Sequence, residues 1–284
     1  MSKPSHLYIV IPAAGTAVRF GDDTPKQYAL VKGKPVLLHT IASFQQLPHR
    51  TTIVVPVDDV HRAIDTIGDA ATDISWGSST CGNHNSIINH QRSTFEKGRT
   101  CLSANLLGHE KVHFVQGGQS RHRSIHNGLL ALKDLDEPPQ PESVVVIHDG
   151  ARPVVPVKIM DPLIQAAMRH KAAGISRPLV STVISVNEDG FLEEVLDRDK
   201  YLASEMPQAF LYDVITRAYR HCTDADLDRG TECLNLVLKY CGVRAKVIPG
   251  PEQLFKVTFQ RDLPALEYEL DRLDSRHKDG VPRE

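Results

Sequence analysis

Four short, mostly apolar runs rich in β-branched residues punctuate the chain: LYIVI at 7–11, TTIVVPV at 51–57, KVHFV at 111–115 and SVVVIHD at 143–149. Between and after them the apolar residues change period. Ile125, Leu129 and Leu132 fall at i, i+4 and i+7 behind a polar start at Ser120, which predicts a helix. Leu163, Ala167 and Lys171 outline another, expected to stop near Gly174. Strands alternating with helices predict an α/β domain with a mostly parallel sheet covered on both faces.

The second half reads differently. PLVSTVISV, the turn NEDG and FLEEVLDRDKYLASEM predict a hairpin-like arm over 179–206 that projects from the sheet. Helices follow at 212–222 and 231–241, strands at 244–248 and 254–258, and a last helix. That helix has Asp262 as expected N-cap, Pro264 in its first turn, and Leu263, Leu266, Leu270 and Leu273 on one stripe. Residues 72–110 are polar and aperiodic and read as a long inserted loop; 275–284 read as a frayed tail. The expectation is one domain over all 284 residues.

Composition narrows the function. A formal net charge of -2 gives no bulk attraction to nucleic acid or an anionic membrane, so neither is expected as a partner. The five cysteines are odd in number and never spaced C-x-x-C, which fits free thiols in a reducing compartment, the cytosol. The apolar run at the N-terminus is too short for a signal-peptide core or a membrane span.

Three strand-end loops carry the chemistry. After the first strand, PAAGTAVRFGDDTPKQ offers Ala13, Ala14 and Gly15, whose small side chains let backbone N–H groups approach phosphate oxygens, with Arg19 and Lys26 behind them. It matches neither G-x-G-x-x-G nor a Walker A sequence, and a tight turn with solvated basic residues explains it equally well. QGGQSRHRSIHNG places Gly117 and Gly118 before Ser124, where a Gly-Gly turn with a basic helix start is the plain alternative. HDGARP ends an apolar strand in Asp149, placed to hold a cation bridging phosphates or simply to cap its loop. Arg198 and Lys256 lie further on. Cys81, His84, His90, Cys101 and His109 match no zinc spacing, and no G-x-S-x-G or H-E-x-x-H sequence occurs.

In order, PAAG…R…PKQ, GG…R…S, HDGARP, MPQAF, KYCG and KVT…RDL resemble the cytidylyltransferases that make CDP-methylerythritol and CDP-ribitol. RPLVSTVIS, ASEMPQAFLYDVI and GTECLNLVLKYC look closest to the animal ribitol-5-phosphate type, the isoprenoid synthase domain-containing proteins, which supply CDP-ribitol for dystroglycan O-mannosyl glycans. The resemblance implies a single Rossmann-like nucleotidyltransferase domain with a projecting β-arm, CTP as co-substrate, Mg2+ or another divalent cation, a polyol phosphate acceptor and a homodimer. It assigns Ala13, Ala14, Gly15, Arg19 and Lys26 to the CTP phosphates, and Gly117, Gly118 and Ser124 to cytosine. Asp149 goes to the nucleotide and metal, and Lys256 to the α-phosphate. Arg152, Thr182, Arg198 and Thr231 go to the acceptor, with Thr182 and Arg198 reaching a neighbour's site. Two positions depart from the bacterial pattern: Gln119 replaces an Asp after the glycine pair, and Thr231-Glu232 lacks the Asp of T-D-E. The rival readings are a methylerythritol-phosphate cytidylyltransferase, an idle nucleotide-binding scaffold, and, with a single Asp in place of a D-x-D pair, a glycosyltransferase.

Overall fold

The computed structural model describes residues 4–15, 20, 24–72, 91–95, 99–106 and 110–278. Its first half contains β1 (His6–Val10), the two-residue β2 (Leu30–Val31) and β3 (Lys34–Pro35), α1 (Val36–Gln45), β4 (Arg50–Val57), α2 (Val60–Thr72), β5 (Gln91–Phe95), β6 (Arg99–Leu106), β7 (Glu110–Gln116), α3 (Arg121–Ala131) and β8 (Val144–Ile147). The second half contains α4 (Val157–His170), β9 (Ala172–Pro178), β10 (Val183–Val186), β11 (Leu192–Leu196), β12 (Leu202–Leu211), α5 (Tyr212–His221), α6 (Asp224–Arg229), α7 (Cys233–Cys241), β13 (Lys246–Pro249) and α8 (Leu263–Lys278).

Nine strands form one sheet in the order β13-β9-β12-β8-β1-β4-β7-β6-β5. All point the same way except β12 and β6, so the sheet is mostly parallel, with β8, β1, β4 and β7 as an all-parallel centre. The central runs are apolar throughout because both faces are covered. Leu7, Ile9, Ile53, Val55, Val144 and Val146 face a core shared with α1, α2 and α4. Tyr8, Val10, Val54, Val145 and Ile147, one residue out of phase, face α3, α5 and α7. A third, smaller core places Leu266 of α8, with Leu263, Leu270 and Leu273, against Val31, Val36 and Val257.

Several expectations shift. Within 72–110, read as loop, residues 91–95 and 99–106 form an antiparallel hairpin that extends the sheet beside β7; residues 73–90 lie outside those described. The helix expected to stop near Gly174 ends at His170, where Lys171 turns the chain at φ 70°, and Gly174 sits inside β9. The arm is shorter than 179–206. Within it the β10–β11 hairpin stands apart as its own two-stranded sheet, whereas 202–206 already belong to β12, paired with β9. Residues 254–258 form no strand: Val257 N donates to Ala151 O, Thr258 N to the Asp262 carboxylate, and Leu254 O accepts from Arg152. Asp262, which directly precedes α8 as expected, ends a 3-10 turn, and its carboxylate reaches back to the N–H groups of Thr258 and Phe259.

Candidate active site

The carboxyl ends of β1, β4, β7 and β8 open on one cleft of about 390 Å3, where ligands bind in parallel α/β sheets. Main chain makes its floor. Ala13 N donates to Pro56 O at 2.8 Å, Gly117 N to Val57 O at 2.7 Å and Gly150 N to Pro12 O at 3.2 Å, so the loops leaving β1 and β7 are both pinned to β4 and the loop leaving β8 is tied to that leaving β1. A β-carbon at Gly117 would lie 2.5 Å from Ala14 Cβ, which is why glycine stands there. Gln27, buried, donates to Ala13 O at 2.8 Å and Gly15 O at 3.2 Å and props the first loop. Ser124 Oγ accepts from Gly118 N at 3.0 Å, closing the glycine turn. Lys26, Asp58, Gln116, Arg121, Asp149 and Lys256 complete the walls.

Asp149 is the electrostatic centre and is only 6% exposed. Arg121 Nε donates to its Oδ1 at 2.9 Å, and Lys256 Nζ and Arg152 Nε donate to its Oδ2 at 3.0 Å and 3.2 Å. Burial alone would raise its pKa; Arg121, then Lys256 and Arg152, outweigh that and hold it well below the usual carboxylate range. Next to it, burial lowers the pKa of His148 to about 4, so the imidazole is neutral and its Nε2 meets Arg152 O at 2.9 Å, the donor tautomer, closing the turn that presents Asp149.

Ala13, Ala14, Gly15, Lys26, Gly117, Gly118, Ser124, Asp149 and Lys256 therefore converge on one cleft. Arg19 lies outside the described residues. Arg152, expected to meet the acceptor, does not line the cleft: it is buried, its guanidinium held by Asp149, Glu205 and Leu254 O, while Glu205 is also gripped by Arg177 at 2.7 Å. Thr231, exposed, is not a cleft-lining residue; its carbonyl accepts from Arg121 Nη1 at 3.3 Å. Thr182 and Arg198 stand on the exposed arm, where Arg198 Nη1 donates to Val180 O at 2.8 Å. Arg121, Gln27 and Asp58 were missed. Arg121 was visible in sequence only as one of two basic residues opening a helix.

Asp149 and Asp58 are the carboxylates that line the cleft, both oxygens of Asp149 accept from Arg121, Lys256 and Arg152, and among the described residues no three His, Cys, Asp or Glu side chains gather to hold a metal ion. A divalent cation on Asp149 would have to arrive on phosphates, displace one of these cationic donors and draw its other ligands from the phosphates and water. Among the described residues no helix is long and apolar enough to cross a membrane.

The sequence profile of the IspD family, 2-C-methyl-D-erythritol 4-phosphate cytidylyltransferase, matches residues 7–89 and 84–272. The D-ribitol-5-phosphate cytidylyltransferases of Xenopus tropicalis and Homo sapiens are 41% and 37% identical over 91% and 93% of this chain. The match covers 55% and 51% of them, so the chain spans about half the length of these curated relatives. The 2-C-methyl-D-erythritol 4-phosphate cytidylyltransferase of Syntrophus aciditrophicus is 32% identical over 96% of this chain and 99% of its own. A crystal structure of 4-diphosphocytidyl-2C-methyl-D-erythritol synthase shares the fold, with a TM-score of 0.66 at 22% identity over 95% of this chain and all of that one.

Proposed function

The chain belongs to the IspD cytidylyltransferase family, and from that premise we propose that it transfers CMP from CTP to D-ribitol 5-phosphate, giving CDP-ribitol and pyrophosphate. The observation that carries the reading is the cleft itself, where Lys256 and Arg121 flank Asp149 and Lys26 lines the same wall. The acceptor phosphate is ionised near neutral pH, so its oxygen needs no strong base to attack the α-phosphorus. The obstacle is that two anions must meet while charge builds as pyrophosphate departs in line. Fixed cations in a partly desolvated cleft lower that barrier. We assign Lys256 to the α-phosphate and Lys26 to the CTP phosphates, with Arg19 near it in the loop sequence. Gly117, Gly118 and Ser124 receive the base. A divalent cation held by Asp149 would supply further neutralisation of the triphosphate.

The ribitol acceptor draws support from relatives of that name near 40% identity. Acceptor recognition falls to Arg198, Thr182 and Thr231, with Arg152 acting from behind Asp149. The arm exposes Val180, Phe191 and Leu192 at 90%, 71% and 61%, an apolar surface suited to burial against a second copy in a homodimer. The free thiols of Cys222, Cys233 and Cys241 suit a cytosolic enzyme feeding protein O-mannosyl glycans. The test is pyrophosphate release from CTP and Mg2+, with ribitol 5-phosphate and methylerythritol phosphate side by side. Release with ribitol 5-phosphate is expected. Preference for methylerythritol phosphate would transfer the chain to isoprenoid precursor synthesis, and silence with both would leave a nucleotide-binding scaffold.

A further inference from the structure

Arg121 joins four parts of the chain that are far apart in sequence. It opens α3 just after the glycine turn, donates from Nε to Asp149 Oδ1 at 2.9 Å and from Nη1 to Thr231 O at 3.3 Å, and points Nη1 at Cys233 Sγ, 3.7 Å away, and Nη2 at Met206 Sδ, 3.5 Å away. The first two are good acceptors and the sulfurs are weak ones. The planar fork is therefore oriented by Asp149 and the Thr231 carbonyl, and the sulfurs fill the space around it. Its side chain keeps 22% exposure at the cleft wall. The chain segments it ties differ in kind. Asp149 and the glycine turn form the nucleotide side of the cleft, whereas Met206 belongs to β12, which continues from the arm, and Thr231 leads into α7.

We infer that Arg121 is a positioning residue that locks Asp149 in register with the 206 and 231–233 segments, so that nucleotide and acceptor sides of the cleft meet in one geometry. The inference rests on the cytidylyl-transfer reading for its catalytic readout. A lysine at this position keeps the charge but has a single nitrogen, which cannot satisfy Asp149 Oδ1 and Thr231 O with the same fork geometry. In Arg121→Lys, kcat is expected to fall at least about tenfold while KM for CTP stays within about threefold, the pattern of an alignment loss. Arg121→Ala leaves a guanidinium-sized gap, and millimolar guanidinium is expected to restore part of its turnover.

Steady-state pyrophosphate release with ribitol 5-phosphate, run on wild type and both variants, makes the test. A Lys variant within twofold of wild-type kcat overturns the inference. So does a loss confined to KM for CTP, which would make Arg121 an ordinary nucleotide contact. Wild-type silence counts against the functional reading instead. In that case hydrogen exchange decides: faster exchange at the amides of 231–233 in Arg121→Lys, with α3 unchanged, supports the tie, and unchanged exchange there sinks it.

Discussion

Gly117→Ala puts the smallest possible probe into the tightest point of the cleft floor. The new methyl would lie 2.5 Å from Ala14 Cβ, 3.1 Å from Val57 O and 3.2 Å from Ser124 Oγ, where ordinary contact needs about 3.4–4 Å. Two of those neighbours are a backbone carbonyl and a β-carbon, which cannot rotate away, so the loops must part by close to 1 Å. Overpacking of this kind costs about 1–3 kcal/mol, or roughly 2–10 °C in melting temperature for a chain of this size. The displacement falls directly on the loops assigned to CTP, and a 1 Å misplacement can cost about a hundredfold in rate. Gly15→Ala is the control: its β-carbon meets nothing within 4 Å, so its melting temperature should not fall. Thermal denaturation and CTP kinetics on both variants make the comparison. A Gly117→Ala protein that melts and turns over like wild type would refute the close approach of the two loops.

Lys256→Ala should keep its fold and lose roughly a hundredfold in turnover, as expected for one donor to developing phosphate charge; a rate within about twofold of wild type contradicts the assignment. The neutral, buried His148 makes stability depend on pH. Its pKa is about 4 in the fold against about 6.5 unfolded, so below 6.5 the unfolded chain takes up a proton that the fold refuses. Stability is full above that value and falls by up to about 3 kcal/mol as pH drops towards 4. Denaturant unfolding at pH 8, 6.5 and 5 should reveal the decline, with a shallower one in His148→Gln; equal slopes in the two proteins would rule His148 out as its source. Phe191→Asp on the arm should shift sedimentation towards a smaller species and leave the far-ultraviolet spectrum unchanged, and an unaltered sedimentation profile would remove the arm from the dimer interface.

The parallel centre was legible because strands buried on both faces must be apolar throughout, and LYIVI, TTIVVPV and VVVI leave little alternative. β9 escaped notice. Its Ala172, Ala173 and Gly174 carry almost no side-chain signal, and at Gly174 the space a β-carbon would enter is taken by Leu234 Cδ1, 2.6 Å away. Segment 254–258 misled in the opposite direction: it looks like a strand, but side chains of Arg152 and Asp262 take backbone groups that a ladder would have used. At the cleft, loop composition announced the glycine turns and Asp149. Arg121 could not be read the same way, since its partners lie 28, 85, 110 and 112 positions away and no local pattern encodes such a meeting.

Among the described residues the cleft is lined by three cations, Lys26, Arg121 and Lys256, and two carboxylates, Asp58 and Asp149, a local surplus of one positive charge (3 - 2) in a chain whose formal net charge is -2. If the cleft takes a nucleotide triphosphate as proposed, the formal charge of the chain opposes its approach at long range and the cleft's surplus favours it at short range. Long-range repulsion and short-range attraction respond differently to salt. The Debye length is about 30 Å at 0.01 M and about 8 Å at 0.15 M. Moderate ionic strength therefore mutes the repulsion from the far surface first, and capture of CTP passes through an optimum before high salt weakens the cleft as well.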